Sequence, residues 1–152
     1  AESGAQANDF WRIRETIPEA QKYEGASSKH DISVPVSKVA DFLVDATADL
    51  ERLMPGIRPC AFGHVGDGNI HFNVSRPLDM TDEAFRARED EIHKAVYDRT
   101  VALGGSISAE HGIGRLRRGE LRTYKSPVAL DMMRTIKAAL DPKGIMNPGK
   151  VL

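Results

Sequence analysis

Apolar residues recur at helical spacing in four stretches of the chain and alternate with polar ones in between. Val39, Phe42, Leu43, Ala46, Leu50 and Leu53 follow Ser37, a residue able to cap, and stop at Pro55-Gly56, which predicts an amphipathic helix. Phe10, Ile13 and Ile17 behind Asn8 and Asp9 predict a shorter one, disturbed at Pro18 because proline removes an internal hydrogen bond. From Thr81, the acids Asp82 and Glu83 suit a helix start, Phe85, Ile92, Val96 and Leu103 mark one face, and Gly104-Gly105 ends it. Ser126-Pro127 opens a last helix with Ala129, Met133, Ile136 and Leu140 as its apolar stripe, closed by Asp141-Pro142 and Gly144.

The strands are short. His30 to Val34 alternates and runs into Pro35, which cannot donate within a ladder. Ile57 to Val65 and Ile70 to Val74 flank Gly66-Asp67-Gly68-Asn69, a hairpin signal because Asp-Gly tolerates positive φ. Ser106 to Ala109 supplies a brief fourth strand. The order β-α-β-β-α-β predicts an α+β, ferredoxin-like antiparallel sheet covered by helices on one face, with additional N- and C-terminal helices.

Composition narrows the field. At 152 residues the length fits one domain, 1–152, with an ordinary core. No apolar run approaches the roughly 18 residues that cross a bilayer as a helix. Lys plus Arg number 21 against 22 Asp plus Glu, which gives no broad electrostatic footprint for nucleic acid. The single cysteine, Cys60, rules out an internal disulfide, a multi-thiolate zinc site and a Cys-ligated iron–sulfur cluster, and it fits a reducing, cytoplasmic setting. The start, Ala1-Glu-Ser-Gly-Ala-Gln, has no initiator Met and no signal-peptide pattern, so it reads as a cut end of a longer protein.

Chemistry concentrates in Gly63-His-Val-Gly-Asp-Gly-Asn-Ile-His-Phe-Asn73 and Ser108-Ala-Glu-His-Gly-Ile-Gly114. With Asp67-Gly68 at the hairpin tip, His64 faces His71, and directly opposed Cβ atoms lie about 4.5–5.5 Å apart, close enough for two imidazoles to hold one metal ion. Asn73 shares their face, placed to hold a substrate oxygen. Glu110 is the expected third ligand, and two histidines with one carboxylate leave open positions on the metal, as a catalytic site needs. His111 projects differently from Glu110 and suits a general base. The metal is zinc, manganese or iron, since such donors accept several. Two other classes stay open: a non-redox metal-dependent hydrolase using the same ligands, and a binding module without chemistry. Gly112-Ile113-Gly114 lacks the later glycine and βαβ context of a dinucleotide fingerprint. Arg115-Leu-Arg-Arg reads as a solvated turn, and Trp11 as a core residue or domain contact.

Together with the terminal Asn147-Pro-Gly-Lys150, these motifs resemble the C-terminal substrate domain of FAD-linked oxidases, in the D-2-hydroxy-acid dehydrogenase branch of the vanillyl-alcohol oxidase superfamily. The resemblance runs from Trp11 to Lys150. It implies His64, His71 and Glu110 as divalent-metal ligands, His111 as catalytic base and Asn73 as a substrate contact. It further implies Arg14 and Lys29 as binders of substrate carboxylate and Asn147 as a residue near the flavin. Pro18 departs from the hydroxyglutarate pattern, which has a threonine there. The implied reaction is oxidation of a small D-2-hydroxy acid to the 2-oxo acid, with hydride passing to FAD held by an N-terminal FAD-binding domain that this chain lacks. The electron acceptor that reoxidises the flavin is left open.

Overall fold

The sheet is built around Asn69–Ser75, a strand paired antiparallel along both edges. In the computed structural model, which describes residues 1–152, the chain divides into two compact units, Ala1–Ala109 and Glu110–Leu152. The first holds α1 (Gly4–Ala20), β1 (Ser27–Ser28), β2 (Asp31–Ser33), α2 (Val39–Leu53), β3 (Arg58–Phe62), β4 (Asn69–Ser75), α3 (Asp82–Arg86) and α4 (Glu89–Ala102). The mixed helix and strand content with an antiparallel sheet is the α+β class read from the pattern.

β1 and β2 lie on one edge of β4 in a continuous register. Ser28 opposes Val74, Asp31 opposes His71, and the Phe72 N–H donates to the His30 carbonyl at 2.9 Å between them. β3 takes the other edge, with Cys60 opposite Asn73 and Phe62 opposite His71. The expected fourth strand shrinks to a bridge between Ser33 and Ser106, plus one bond from Ala109 N–H to Asp31 O at 3.1 Å. Gly105 lies so close that a Cβ there would sit 2.2 Å from Ser33 O.

Alternation on the pleat turns Ile32, Ile70, Phe72 and Val74 toward the helices, where all four are buried. They meet Phe42, Ala46 and Leu50 of α2 and Ile92, Val96 and Tyr97 of α4, residues at i, i+4 spacing that share a helix face. The Phe42 and Phe72 rings cross edge to face at 5.3 Å, and each such side chain contributes about 1.5–3 kcal/mol by burial. The core also contains polar groups. Ser28 and His30 take the inward positions beside Ile32 and are almost fully buried. His30 Nδ1 donates to Phe72 O at 2.7 Å, and its Nε2 lies 2.8 Å from His93 Nδ1.

Two expected helices are drawn differently. The 81–103 segment breaks at Ala87-Arg88, where Arg88 N–H bonds Phe85 O three residues back and its guanidinium reaches Leu53 O at 3.1 Å. α1 starts earlier, capped by Ser3, whose Oγ accepts from Gln6 N–H at 3.3 Å. It runs through Pro18 to Ala20 and continues as a 3-10 turn over Gln21–Glu24. Its half-buried side is Arg14 and Ile17, leading on to buried Gln21, while Phe10, Trp11 and Ile13 are exposed. Trp11 is therefore not a core residue of this unit.

The second unit contains α5 (Arg118–Tyr124) and α6 (Pro127–Leu140). Arg115, Leu116 and Arg117 form the turn expected of the basic stretch, and α5 begins at Arg118. Ser126 caps α6, its Oγ accepting from Ala129 N–H at 3.2 Å. Leu130 is the buried residue of that helix, while Ile136 and Leu140 of the expected stripe are exposed. Ala129 and Met133 of that stripe are half-buried beside Leu130, so its first half lies inward as expected. No helix is long and apolar enough to cross a membrane.

Candidate functional site

Because the even-numbered residues of β4 enter the core, Asn69, His71, Asn73 and Ser75 share the opposite face. Arg58, Cys60 and Phe62 of β3 join them through the register, as do Ser27, Asp31 and Ser33 from β1 and β2, with Lys29 between. A face of mainly polar side chains thus backs an apolar one, and α1 with its 3-10 extension is tied to it. Arg14 places Cζ 4.7 Å from the centre of the Phe62 ring, a cation–π contact. Gln21 Oε1 accepts from Asn73 Nδ2 at 2.6 Å, and Arg58 bonds Glu24 through both its side chain and carbonyl.

The hairpin register corrects one expectation. His64 N–H donates to Asn69 O at 3.1 Å and receives the Asn69 N–H at 3.2 Å, so His64 opposes Asn69, and Phe62 opposes His71. The cause is the turn. Val65–Asp67 forms a 3-10 turn closed by Gly68 at φ 75°, a four-residue connection rather than the two-residue tip that Asp-Gly suggested. The shift is two residues, so parity is kept: His64 and His71 remain on one face as diagonal neighbours, a relation that spans about 7–8 Å.

His71 is the best-enclosed imidazole of this face. Phe62 lies against it with ring centres 5.2 Å apart at 37°, and Asp31 Oδ1 lies 3.9 Å from its Nδ1. Asn69 Nδ2 donates to that same Oδ1 at 3.0 Å. Asp31, Asn69, Gln21 and Phe62 escaped the sequence reading, although period two from Lys29 already puts Asp31 on its face. Asn73 sits where expected, but it is buried and its amide is occupied by Gln21. Lys29 is exposed beside it, at the ladder position opposite Asn73. Burial pushes the Cys60 thiol up, which disfavours its thiolate form.

In the second unit, Glu110 and His111 are exposed residues of an irregular segment that contains Gly112 at φ 72° and Gly114 at φ 55°. Asn147 takes a left-handed φ of 45° in the terminal turn, where Val151 N–H reaches back to Gly114 O at 2.7 Å.

The sheet face brings two imidazoles, His64 and His71, to one side, and imidazole nitrogen is a donor that zinc and iron both accept. Gly66, Gly112 and Gly114 have open space where a Cβ would stand, with nothing of the protein within 4 Å.

Residues 1–151 match the model of the family described as FAD linked oxidases, C-terminal domain. The chain belongs to that family. Relatives of this C-terminal domain include a D-2-hydroxyglutarate dehydrogenase of Stutzerimonas stutzeri, 38% identical over 151 residues that make up 99% of this chain and 32% of that protein. The mitochondrial D-2-hydroxyglutarate dehydrogenase of Arabidopsis thaliana is 42% identical over 150 residues, 97% of this chain and 25% of that protein. That of Bos taurus is 42% identical over 145 residues, 94% of this chain and 25% of that protein. The FAD-linked oxidase C-terminal domain described here therefore spans about a quarter to a third of these curated relatives.

Proposed function

We propose that this domain is the substrate-handling part of an FAD-dependent dehydrogenase that oxidises a D-2-hydroxy acid to the 2-oxo acid. The observation that carries the reading is the polar sheet face, where His64 and His71 share a side with Asn73, Lys29 and the Arg14 that caps Phe62. The relatives' names favour 2-hydroxyglutarate as the first acid to try.

The roles follow from side-chain chemistry. His64, His71 and Glu110 hold a divalent metal, zinc, manganese or iron, which when bound supplies Lewis-acid polarisation of the hydroxyl and carboxylate oxygens. Arg14 and Lys29 receive carboxylate: the guanidinium offers a planar fork and the ammonium a point charge. Asn73 orients an oxygen of the substrate by exchanging its bond to Gln21 for one to the ligand. His111 takes the hydroxyl proton on a ring nitrogen, a transfer worth about 10²–10⁴-fold in rate. FAD would be held by a separate FAD-binding domain of the same protein and would supply the hydride acceptor, with Asn147 as the residue of this chain proposed to contact it. The exposed apolar residues Phe10, Trp11 and Val128 suit burial against that domain. The same reading takes the sheet as ferredoxin-like and the setting as cytoplasmic.

The test is anaerobic flavin reduction in the intact protein with a panel of D-2-hydroxy acids, alongside elemental metal analysis. Reduction by at least one acid, lost in His111→Ala and accompanied by metal loss in His64→Ala, is the expected result. Reduction by none of the acids, or variants that match wild type in both measurements, would overturn the reading.

A further inference from the structure

We infer that Asp31 is a positioning residue for His71, its carboxylate keeping the ring proton on Nδ1 so that Nε2 is the nitrogen offered to the cation. The inference rests on the metal-holding role proposed above for His71. The two residues are direct partners across the β2–β4 ladder, and Asp31 Oδ1 lies 3.9 Å from Nδ1. Their side chains are 8% and 15% exposed, so little water screens one from the other.

Asp31 is itself held at both ends. Asn69 Nδ2 donates to Oδ1 at 3.0 Å and lies 3.4 Å from Ile32 O, which fixes the carboxylate. Ala109 N–H donates to the Asp31 carbonyl at 3.1 Å, which fixes the backbone. On the far side of His71 stands Phe62, its ring tilted 37° at 5.2 Å. An imidazole confined between an aromatic ring and a carboxylate has little freedom to turn over. The two neutral tautomers differ only in which nitrogen carries hydrogen, and a negative oxygen beside Nδ1 attracts the N–H dipole that points at it. Carboxylates that bear on the second nitrogen of a metal-binding histidine in this way change metal affinity by about 10–100-fold when removed.

The experiment uses the intact protein with Asp31→Asn, Asp31→Ala and His71→Ala. Nitrogen NMR of the metal-free protein reads the His71 tautomer, with the signal assigned by its loss in His71→Ala. Competition titration with Zn²⁺ reads affinity, and the Co²⁺ visible spectrum reads the number of ligands. The expected result is the Nδ1–H tautomer in wild type, a mixture in Asp31→Ala, and about 10–100-fold weaker Zn²⁺ binding with an unchanged Co²⁺ spectrum. Asp31→Asn, which keeps the shape and an acceptor oxygen, should recover part of both and serves if the alanine variant does not fold. Unchanged tautomer and affinity in Asp31→Asn and Asp31→Ala would overturn the inference, and so would a Co²⁺ spectrum that loses a ligand, since Asp31 would then bind the metal directly. If His71→Ala binds Zn²⁺ as wild type does, the metal role of His71 fails instead, and the tautomer measurement still decides the part played by Asp31.

Discussion

Replacing Gly68 with alanine tests whether the four-residue turn sets the hairpin register. Gly68 ends the 3-10 turn at φ 75°, and a Cβ there would fall 2.0 Å from Val34 O and 3.2 Å from Val34 C. Two costs add. A non-glycine residue in the left-handed region loses about 1–2 kcal/mol. The carbonyl of Val34 must also withdraw by more than an ångström, which breaks the 3.1 Å bond from Val34 N–H to Gly68 O, worth about 1 kcal/mol. The sum is about 2–3 kcal/mol, or roughly 4–12 °C in Tm at about 2–4 °C per kcal/mol for a chain of this size. Gly104 provides the control, since its φ is 76° but a Cβ there would meet nothing within 4 Å. Gly104→Ala carries only the conformational cost, part of it offset by about 0.4–1 kcal/mol from the stiffer unfolded chain. Urea unfolding followed by circular dichroism on both variants separates the two terms. Equal losses would show that the turn does not pack on Val34 as described, and the position of His64 opposite Asn69 would fall with it.

Asp82 should make stability acid-sensitive. The Ala26 N–H at 3.0 Å and then Arg76 at 2.6 Å hold its carboxyl below the usual range. A lowered native value stabilises the fold above the unfolded value of about 3.9 and ceases to do so as pH falls through the native one. The stability gap between wild type and Asp82→Asn should therefore be steady at neutral pH and shrink below about pH 4; a gap that widens in acid contradicts the assignment. The buried histidine pair predicts a non-additive cycle: His30→Phe and His93→Phe should each cost about 1–3 kcal/mol by removing the buried contact between the rings, and the double variant should cost less than their sum. Additivity within about 0.5 kcal/mol would mean that the 2.8 Å contact between the rings contributes nothing.

Elements whose pattern is set by their own burial were legible in the chain. Val39, Phe42, Ala46 and Leu50 are buried where their helical spacing put them, and the alternation of β4 announced both of its faces. What escaped depends on contacts between distant segments. Arg88 ends one helix turn and starts another because it finds Leu53 O, 35 residues away. The fourth strand dwindles to a bridge at Ser33 and Ser106. His30 reads as a polar residue at the head of a strand, yet it is 1% exposed because His93, Tyr97 and Phe72 O receive it.

The candidate site shows the same division at the scale of single residues. Which face a strand residue takes is a matter of parity, and parity survives a register error of two, so His64 and His71 kept a common face although the expected pairing was wrong. Which residue stands opposite is a matter of turn length, and Asp67-Gly68 carries no mark that distinguishes a two-residue tip from a 3-10 turn closed by glycine. The residue facing His71 from β3 is consequently Phe62, an apolar wall rather than a second ligand. Its carboxylate neighbour comes from the opposite edge, from a segment 40 positions earlier whose sequence, Lys-His-Asp-Ile-Ser, shows only an alternating strand. The local environment of His71 is thus assembled by sheet pairing, with an aromatic ring on one flank and an acid on the other, and its chemistry follows from strand order as much as from the hairpin motif.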